Sequence, residues 1–255
     1  MIGTMLPAER MSAVAFAAKN CALESMMIGD HASGLARDYE SGRIGVDDVV
    51  GSCAGEDGGL LDTSADVVFA RNILLAERPV SPTGDLRELQ GIHRMLFDGV
   101  YAHAGQLRTR DTAADVQGSN TDGLAGNSQA FFPASLLETG AANIAAELAD
   151  ERNLKCLDRP VFVRRLAHFY DELGYLHPFG RGNAMTLRVF ASRLAHDAGW
   201  DLDWGPVDAD EYRAAKRLAY RGDVSGFVGL FDRIVRPANP TRIFLIAGWD
   251  QGPAH

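Results

Sequence analysis

"PVFVRRLAHFYDELGYLHPFGRGNAMTLRVFASRLAHDAG" (160–199) carries two helical patterns joined by a turn. Phe162, Leu166, Phe169, Leu173 and Leu176 recur at spacings of four and three, which puts them on one face of an α-helix. Pro160 suits the first turn of that helix, where a missing N–H costs nothing. Asn183, Leu187, Phe190 and Leu194 repeat the spacing, and Asp197-Ala-Gly199 ends the second helix. Between them His177-Pro178 turns the chain, because a residue before proline avoids the α region. Gly180 and Gly182 allow a tight loop whose amides point inward. A glycine-rich loop that opens a helix offers unpaired N–H groups and the positive end of the helix dipole to an anion. Arg188, about one and a half turns along, can reach back as a planar phosphate clamp. His177 sits at the lip of this nest, where it can take a proton from an attacking hydroxyl. Together these parts describe transfer of a phosphate-containing group to a hydroxyl.

Working outward, Leu86 to Tyr101, Leu136 to Leu154, Asp208 to Tyr220 and Val224 to Val235 read as further helices. One short hairpin is expected around "AGNSQAFFPA" (125–134), where turn residues lead into Phe131 and Phe132. The fold class is therefore all-α. The first fifty residues differ: "PAERMSAVAFAAKNCALESMM" reads as one helix, and "ASGLARDYESGRIGVDDVV" as two shorter ones broken at Ser41-Gly42. The glycine-rich run 51–63 reads as a linker. The expected organisation is a helical module over 1–50, a linker over 51–63 and a main domain over 64–255.

The 255 residues have a formal net charge of −9, which argues against a nucleic-acid scaffold. Three separated cysteines, Cys21, Cys53 and Cys156, form neither a zinc pattern nor a disulfide framework and suit a reducing cytosol. The amino terminus lacks the apolar run of a signal peptide, and no window approaches a membrane span. A cytoplasmic protein with no membrane partner is expected, and homo-oligomers are compatible with the sequence.

The segment His177–Arg188 resembles the core motif of the Fic family, H-P-F-x-(D/E)-G-N-G-R-x-x-R. His177, Pro178, Phe179, Gly182, Asn183 and Arg188 match. "LRELQGIHRMLFDGVYAHAGQLRTRD" (86–111) resembles the family's early helix and its "YxWAGxxR" segment, with His103 where Trp is usual. "SQAFFPASLLE" resembles its β-hairpin flap, and "AGWDLDW" and "GDVSGFVGLFDRIV" its last helices. The resemblance covers about residues 55–236. It implies a Fic fold, a helical bundle with a short hairpin flap, that moves AMP from ATP to a protein hydroxyl. His177 would be the general base. Asn183 and the amides of Gly180, Arg181 and Gly182 would hold the α-phosphate, with Phe179 completing the loop, and Arg188 would hold the terminal phosphates. The flap at Phe131 and Phe132 would align the target chain by strand pairing.

Three positions depart from that pattern. Arg181 stands where the family has a Mg²⁺-binding carboxylate, Ala184 replaces Gly, and Met185 replaces the first arginine. No protein metal ligand is therefore expected. Three outcomes stay open: Arg181 supplies the charge that Mg²⁺ would have supplied, the donor is not ATP, or the site binds a nucleotide or partner without chemistry. A second resemblance lies in the N-terminal module. Fic proteins are held inactive by a helix with the motif (S/T)-x-x-x-E-(G/N), in one class on a separate antitoxin. Asn20-Cys-Ala-Leu-Glu24-Ser25 is similar to it, and "DYESGRIGVDDVV" to the antitoxin's second segment. The resemblance implies that Asn20 and Glu24 are inhibitory, with Glu24 occupying Arg188 in place of a phosphate.

Overall fold

The computed structural model describes residues 5–54, 63–114, 129–239 and 243–248. Among these residues ten α-helices run in order α1 (Pro7–Ala22), α2 (Asp30–Glu40), α3 (Val46–Ala54), α4 (Thr63–Glu77), α5 (Leu86–Phe97), α6 (Leu137–Asp150), α7 (Arg159–Leu176), α8 (Asn183–Asp197), α9 (Ala209–Ala219) and α10 (Ser225–Ile234). Two short antiparallel pairs complete the fold. β1 (Ala113–Ala114) pairs with β2 (Gln129–Ala130), and β3 (Trp200–Leu202) with β4 (Val235–Pro237).

Helix α8 is the axis. Every residue from Met185 to Ala195 is buried, as expected of a helix enclosed on all sides. Helices α5 and α7, strand β3 and, from the N-terminal side, α1 pack around it. Its buried polar groups are matched. Trp204 Nε1 donates to Ser192 Oγ at 2.9 Å, and Ser192 Oγ donates back to the Arg188 carbonyl at 2.8 Å. Arg193 pairs with Glu88 through Nε and through Nη2 at 2.8 Å, and with Asp197 through Nη1 at 2.9 Å. Asp158 caps α7 by accepting from the Val161 N–H at 3.0 Å, with Pro160 in the first turn as the sequence predicts. Asp85 and Asp208 cap α5 and α9 in the same way.

Five differences from the sequence reading stand out, most with a local cause. Helix α1 stops at Ala22 rather than Met27, because Ser25 takes a left-handed conformation at φ 59°. Helix α5 stops at Phe97, before Gly99 at φ 77°. The run 51–63 is not all linker: 51–54 finish α3, Thr63 opens α4, and 55–62 lie outside the described residues. Helix α4 went unread because its apolar residues leave no polar stripe; Val68, Phe69, Ala70, Ile73 and Leu75 are all buried. It is also the helix along which α1 and α3 pack. The hairpin is present, but its first strand is Ala113–Ala114, and 125–128 of the expected segment lie outside the described residues.

Arg193→Leu should leave the buried Glu88 carboxylate without a counter-ion. The expected cost is about 3–5 kcal/mol of unfolding free energy, read as a lower urea midpoint at pH 7; an unchanged midpoint would show that the pair contributes nothing.

Candidate active site

Leu176 ends α7, and His177 follows in the left-handed region at φ 45°, its N–H bonded to the Leu173 carbonyl at 3.3 Å. A non-glycine residue there is strained, so something must hold it. Arg108, from the loop after α5, does. Its backbone N–H donates to the Pro178 carbonyl at 2.9 Å, Nε to the His177 carbonyl at 2.7 Å, and Nη2 to the carbonyls of Leu176, at 3.3 Å, and Phe132. One planar cation thus closes the carbonyl end of α7 and ties the flap strand to it. His93 holds the loop from beneath. Its Nδ1 accepts from the Gly105 N–H at 2.8 Å, so Nε2 carries the proton and donates to the Arg181 carbonyl at 2.9 Å. The His93 ring stacks on Phe179 at 4.0 Å.

Gly182 caps α8 at φ 75°, and a Cβ there would lie 2.4 Å from the Phe97 ring. Glycine is required both by conformation and by space. The Asn183 side chain closes the loop: its Oδ1 accepts from the Phe179 N–H at 2.9 Å and its Nδ2 donates to the Phe179 carbonyl at 2.8 Å. The first N–H groups of α8 have no carbonyl within the helix and open beside a cleft of about 420 Å³ lined in part by His177, Asn183, Ala184, Leu187 and Lys216.

His177 lies at the rim of this cleft. One ring nitrogen donates to the Gly174 carbonyl, which leaves the other as acceptor. Burial, with Lys216 and Arg108 nearby, pushes its pKa down to about 4. The ring is therefore neutral at pH 7. Phe131 stacks on it at 3.8 Å. Phe132 points elsewhere, meeting Tyr175 edge-on at 6.0 Å and filling the space above Gly140. Of the two expected flap residues, only Phe131 faces the base.

Arg188 is fully buried. Its Nε donates to Asn20 Oδ1 at 2.6 Å, and its Nη2 to the Asn20 carbonyl at 3.2 Å and to Glu24 Oε1 at 2.8 Å. Its plane lies over the Tyr212 ring at 4.9 Å, and Nη1 has no hydrogen-bond partner among the described residues. Asn20 is itself held by Asn72, whose Oδ1 accepts from Asn20 Nδ2 at 2.8 Å. The structure therefore brings the N-terminal Asn20 and Glu24 onto the distal arginine of the loop motif. Ser25, next to Glu24, sits where a left-handed residue is needed. Met185 is buried beneath the site, while the Arg181 side chain is exposed. Among the described residues no cluster of three or more His, Cys, Asp or Glu could hold a metal ion. The loop 177–188 contains no carboxylate, so it does not fit a protein-held Mg²⁺. Nor, among those residues, is any helix long and apolar enough to cross a membrane.

The family model described as Fic/DOC matches residues 83–195, from just before α5 to near the end of α8. The chain is also 30% identical over 153 residues to the probable protein adenylyltransferase Fic of Escherichia coli, covering 60% of this chain and 70% of that protein. The chain belongs to the Fic/DOC family. It is 34% identical over 155 residues to the protein adenylyltransferase VbhT of Bartonella schoenbuchensis, which covers 61% of this chain but only 30% of VbhT. Among solved structures, an N-terminal Fic domain from Bartonella quintana with bound ADP shares the fold at a TM-score of 0.59, with 21% identity over 69% of this chain and 84% of that one. A Fic family protein from Desulfovibrio desulfuricans aligns over 90% of this chain and 64% of its own at a TM-score of 0.58 and 14% identity. The sequence assigns no role to His93, nor to Arg108, the arginine that closes the YxWAGxxR-like segment; both act by bonding to backbone, which only the fold reveals.

Ser25→Gly should relieve the left-handed strain and raise stability by about 1 kcal/mol, measured as a higher melting temperature; a lower one would show that the Ser25 side chain contributes more than its conformation costs.

Proposed function

We propose that this chain transfers an AMP-type nucleotidyl group from a nucleotide, with ATP the first candidate, to a hydroxyl on a target protein or small substrate, under restraint by residues 1–50. The observation that carries the reading is His177: a neutral, oriented imidazole at the mouth of a cleft into which the amino end of α8 opens. The relatives' names, protein adenylyltransferases, agree with it.

The steps follow from the groups present. His177 accepts the proton of the attacking hydroxyl on its free ring nitrogen; the hydroxyl oxygen forms a bond to the α-phosphorus, and the bond to the bridging oxygen breaks, releasing pyrophosphate from ATP. The N–H groups at the start of α8 face the charge that develops on the phosphoryl oxygens, and one such donor is worth about 10²–10³ in rate. Arg188 meets the terminal phosphates with Nη1 and with the nitrogen that Glu24 now occupies. In a family whose members use Mg²⁺ to neutralise phosphates, this loop presents Arg181 instead of a carboxylate, so its cations carry that load and no step passes through a protein-held metal. Glu24 on Arg188 is the restraint, and the neighbouring Asn20 bonds fix the arginine toward it. The competing reading, a Fic-fold module that binds a nucleotide or partner without chemistry, draws on the same Glu24 contact and on the burial of Met185.

Intact mass after incubation with a panel of nucleotides and related donors separates the two. An adduct on the chain or an added target should form with Glu24→Gly faster than with wild type, should vanish with His177→Ala, and should survive EDTA. No adduct from Glu24→Gly with any donor would leave the binding module as the reading, and complete loss in EDTA would return the role of the metal.

The acid limb should follow the depressed pKa of His177. A base neutral down to about pH 4 keeps its acceptor form across pH 5.5–8, so the turnover of Glu24→Gly should stay level there. A fall near pH 6.5, the ordinary histidine value, would show that the His177 pKa is not depressed in this way or that another group limits turnover.

A further inference from the structure

Lys216 lies outside the loop motif yet lines the same cleft as His177, Asn183 and Ala184. Helix α9 puts it there. Tyr212, Lys216 and Tyr220 are spaced by four and share one face. The Tyr212 ring carries Arg188 at 4.9 Å and the Lys216 ammonium at 5.8 Å. Burial raises the pKa of the Tyr220 hydroxyl, and Lys216 lies close enough to lower it in part; Tyr220 meets Phe131 edge-on at 5.7 Å, the same ring that stacks on His177. Lys216 is thus linked through Tyr212 to the buried arginine and through Tyr220 and Phe131 to the base.

The charge balance around it is uneven. Arg188 has Glu24 at 2.8 Å. Among the described residues no carboxylate lies within 4 Å of Lys216; its neighbours are aromatic faces and hydroxyls. Glu24 attracts this half-buried ammonium only from beyond ion-pair distance, and although Asp171 also lines the cleft, the ammonium and the amino end of α8 are two positive elements that open on one space. Beside Asp171, the lining contributed by Tyr170, Leu187 and Phe227 is apolar and suited to a flat ring. Met185, buried below the loop, supplies no cation.

We propose that Lys216 is a phosphate-binding residue of this site, holding the charged part of the donor opposite the amino end of α8. The proposal rests on the nucleotide reading above. Calorimetry should use Glu24→Gly, Glu24→Gly with Lys216→Met, and Glu24→Gly with Lys216→Arg, each against ATP, inorganic tripolyphosphate and adenosine. Lys216→Met should weaken ATP and tripolyphosphate about ten- to a hundredfold, the loss expected of one charged hydrogen bond. Adenosine should be unchanged, and Lys216→Arg should restore most of the loss. Weaker adenosine with unchanged tripolyphosphate would assign Lys216 to the base and overturn the proposal, as would tripolyphosphate that binds all three proteins equally or none. Because the tripolyphosphate arm needs no chemistry, it reads Lys216 even where no adduct forms.

A second readout is the titration of His177 by ¹⁵N NMR. The charged groups facing its ring are Lys216 on α9 and Arg108 in the loop after α5, with the Gly174 carbonyl of α7 as hydrogen-bond acceptor. Lys216→Met should raise its pKa, while a purely packing role for Lys216 would leave it in place and count against the proposal.

Discussion

A guanidinium that is entirely enclosed cannot stand alone, and Arg188 is the charge around which this protein is assembled. Removing such an ion from water costs several kcal/mol unless hydrogen bonds and an opposite charge replace the solvent. Here the replacement comes from two directions. The Tyr212 ring of α9 lies under its plane, and Asn20 and Glu24 approach from the first helix. The same demand therefore fixes where the N-terminal helices dock and which face α9 turns inward. Asn72 of α4 extends the arrangement by one more bond to Asn20, so the helix that packs most along α1 also helps to aim the side chain that α1 presents.

Arg108 plays the matching part at the other end of the loop. Arg188 gathers side chains from distant segments, whereas Arg108 gathers carbonyls: the end of α7, the first residue of the motif and the flap strand all give it an oxygen. The strained backbone of His177 is held by these bonds and by the stacked Phe131. If His177 is the base proposed above, a backbone and ring that are both fixed leave little to reorganise when a hydroxyl arrives, which is where much of the advantage of a preformed site resides.

The parts of the fold that show in the sequence are those governed by periodicity and by covalent restraint. Helices α7 and α8 show because their apolar residues keep a regular spacing, and the loop between them shows because proline and glycine leave few conformations open. Helix α4 does not show, since a segment buried on most sides has no contrast between faces. Strands of two or three residues are too short to alternate, so β3 and β4 leave no trace. In the site, His177 and Arg188 are legible from the core motif, and Asn20 and Glu24 from their likeness to the inhibitory motif. Lys216 is not: a lysine on an amphipathic helix looks like any solvated charge until the fold turns Tyr212 and Tyr220 toward the cleft. Arg181 is the converse case, a charge conspicuous in the loop sequence whose side chain lies exposed while its carbonyl does the holding.

Glu24 and Arg188 belong to one chain, with α1 tethered to α8 through the intervening helices. Their meeting is a unimolecular event, so diluting the protein cannot separate them. Under the restraint proposed above, the carboxylate acts as a competitor at a fixed local concentration, on the order of millimolar or more for tethered groups. A ligand that needs the same arginine must exceed that value or wait for α1 to open. On the proposed restraint, the threshold for activity is set by the stability of the first helix against its neighbours, and a destabilising change at the α1–α4 contact, far from the loop, would lower it as surely as a change in the loop itself.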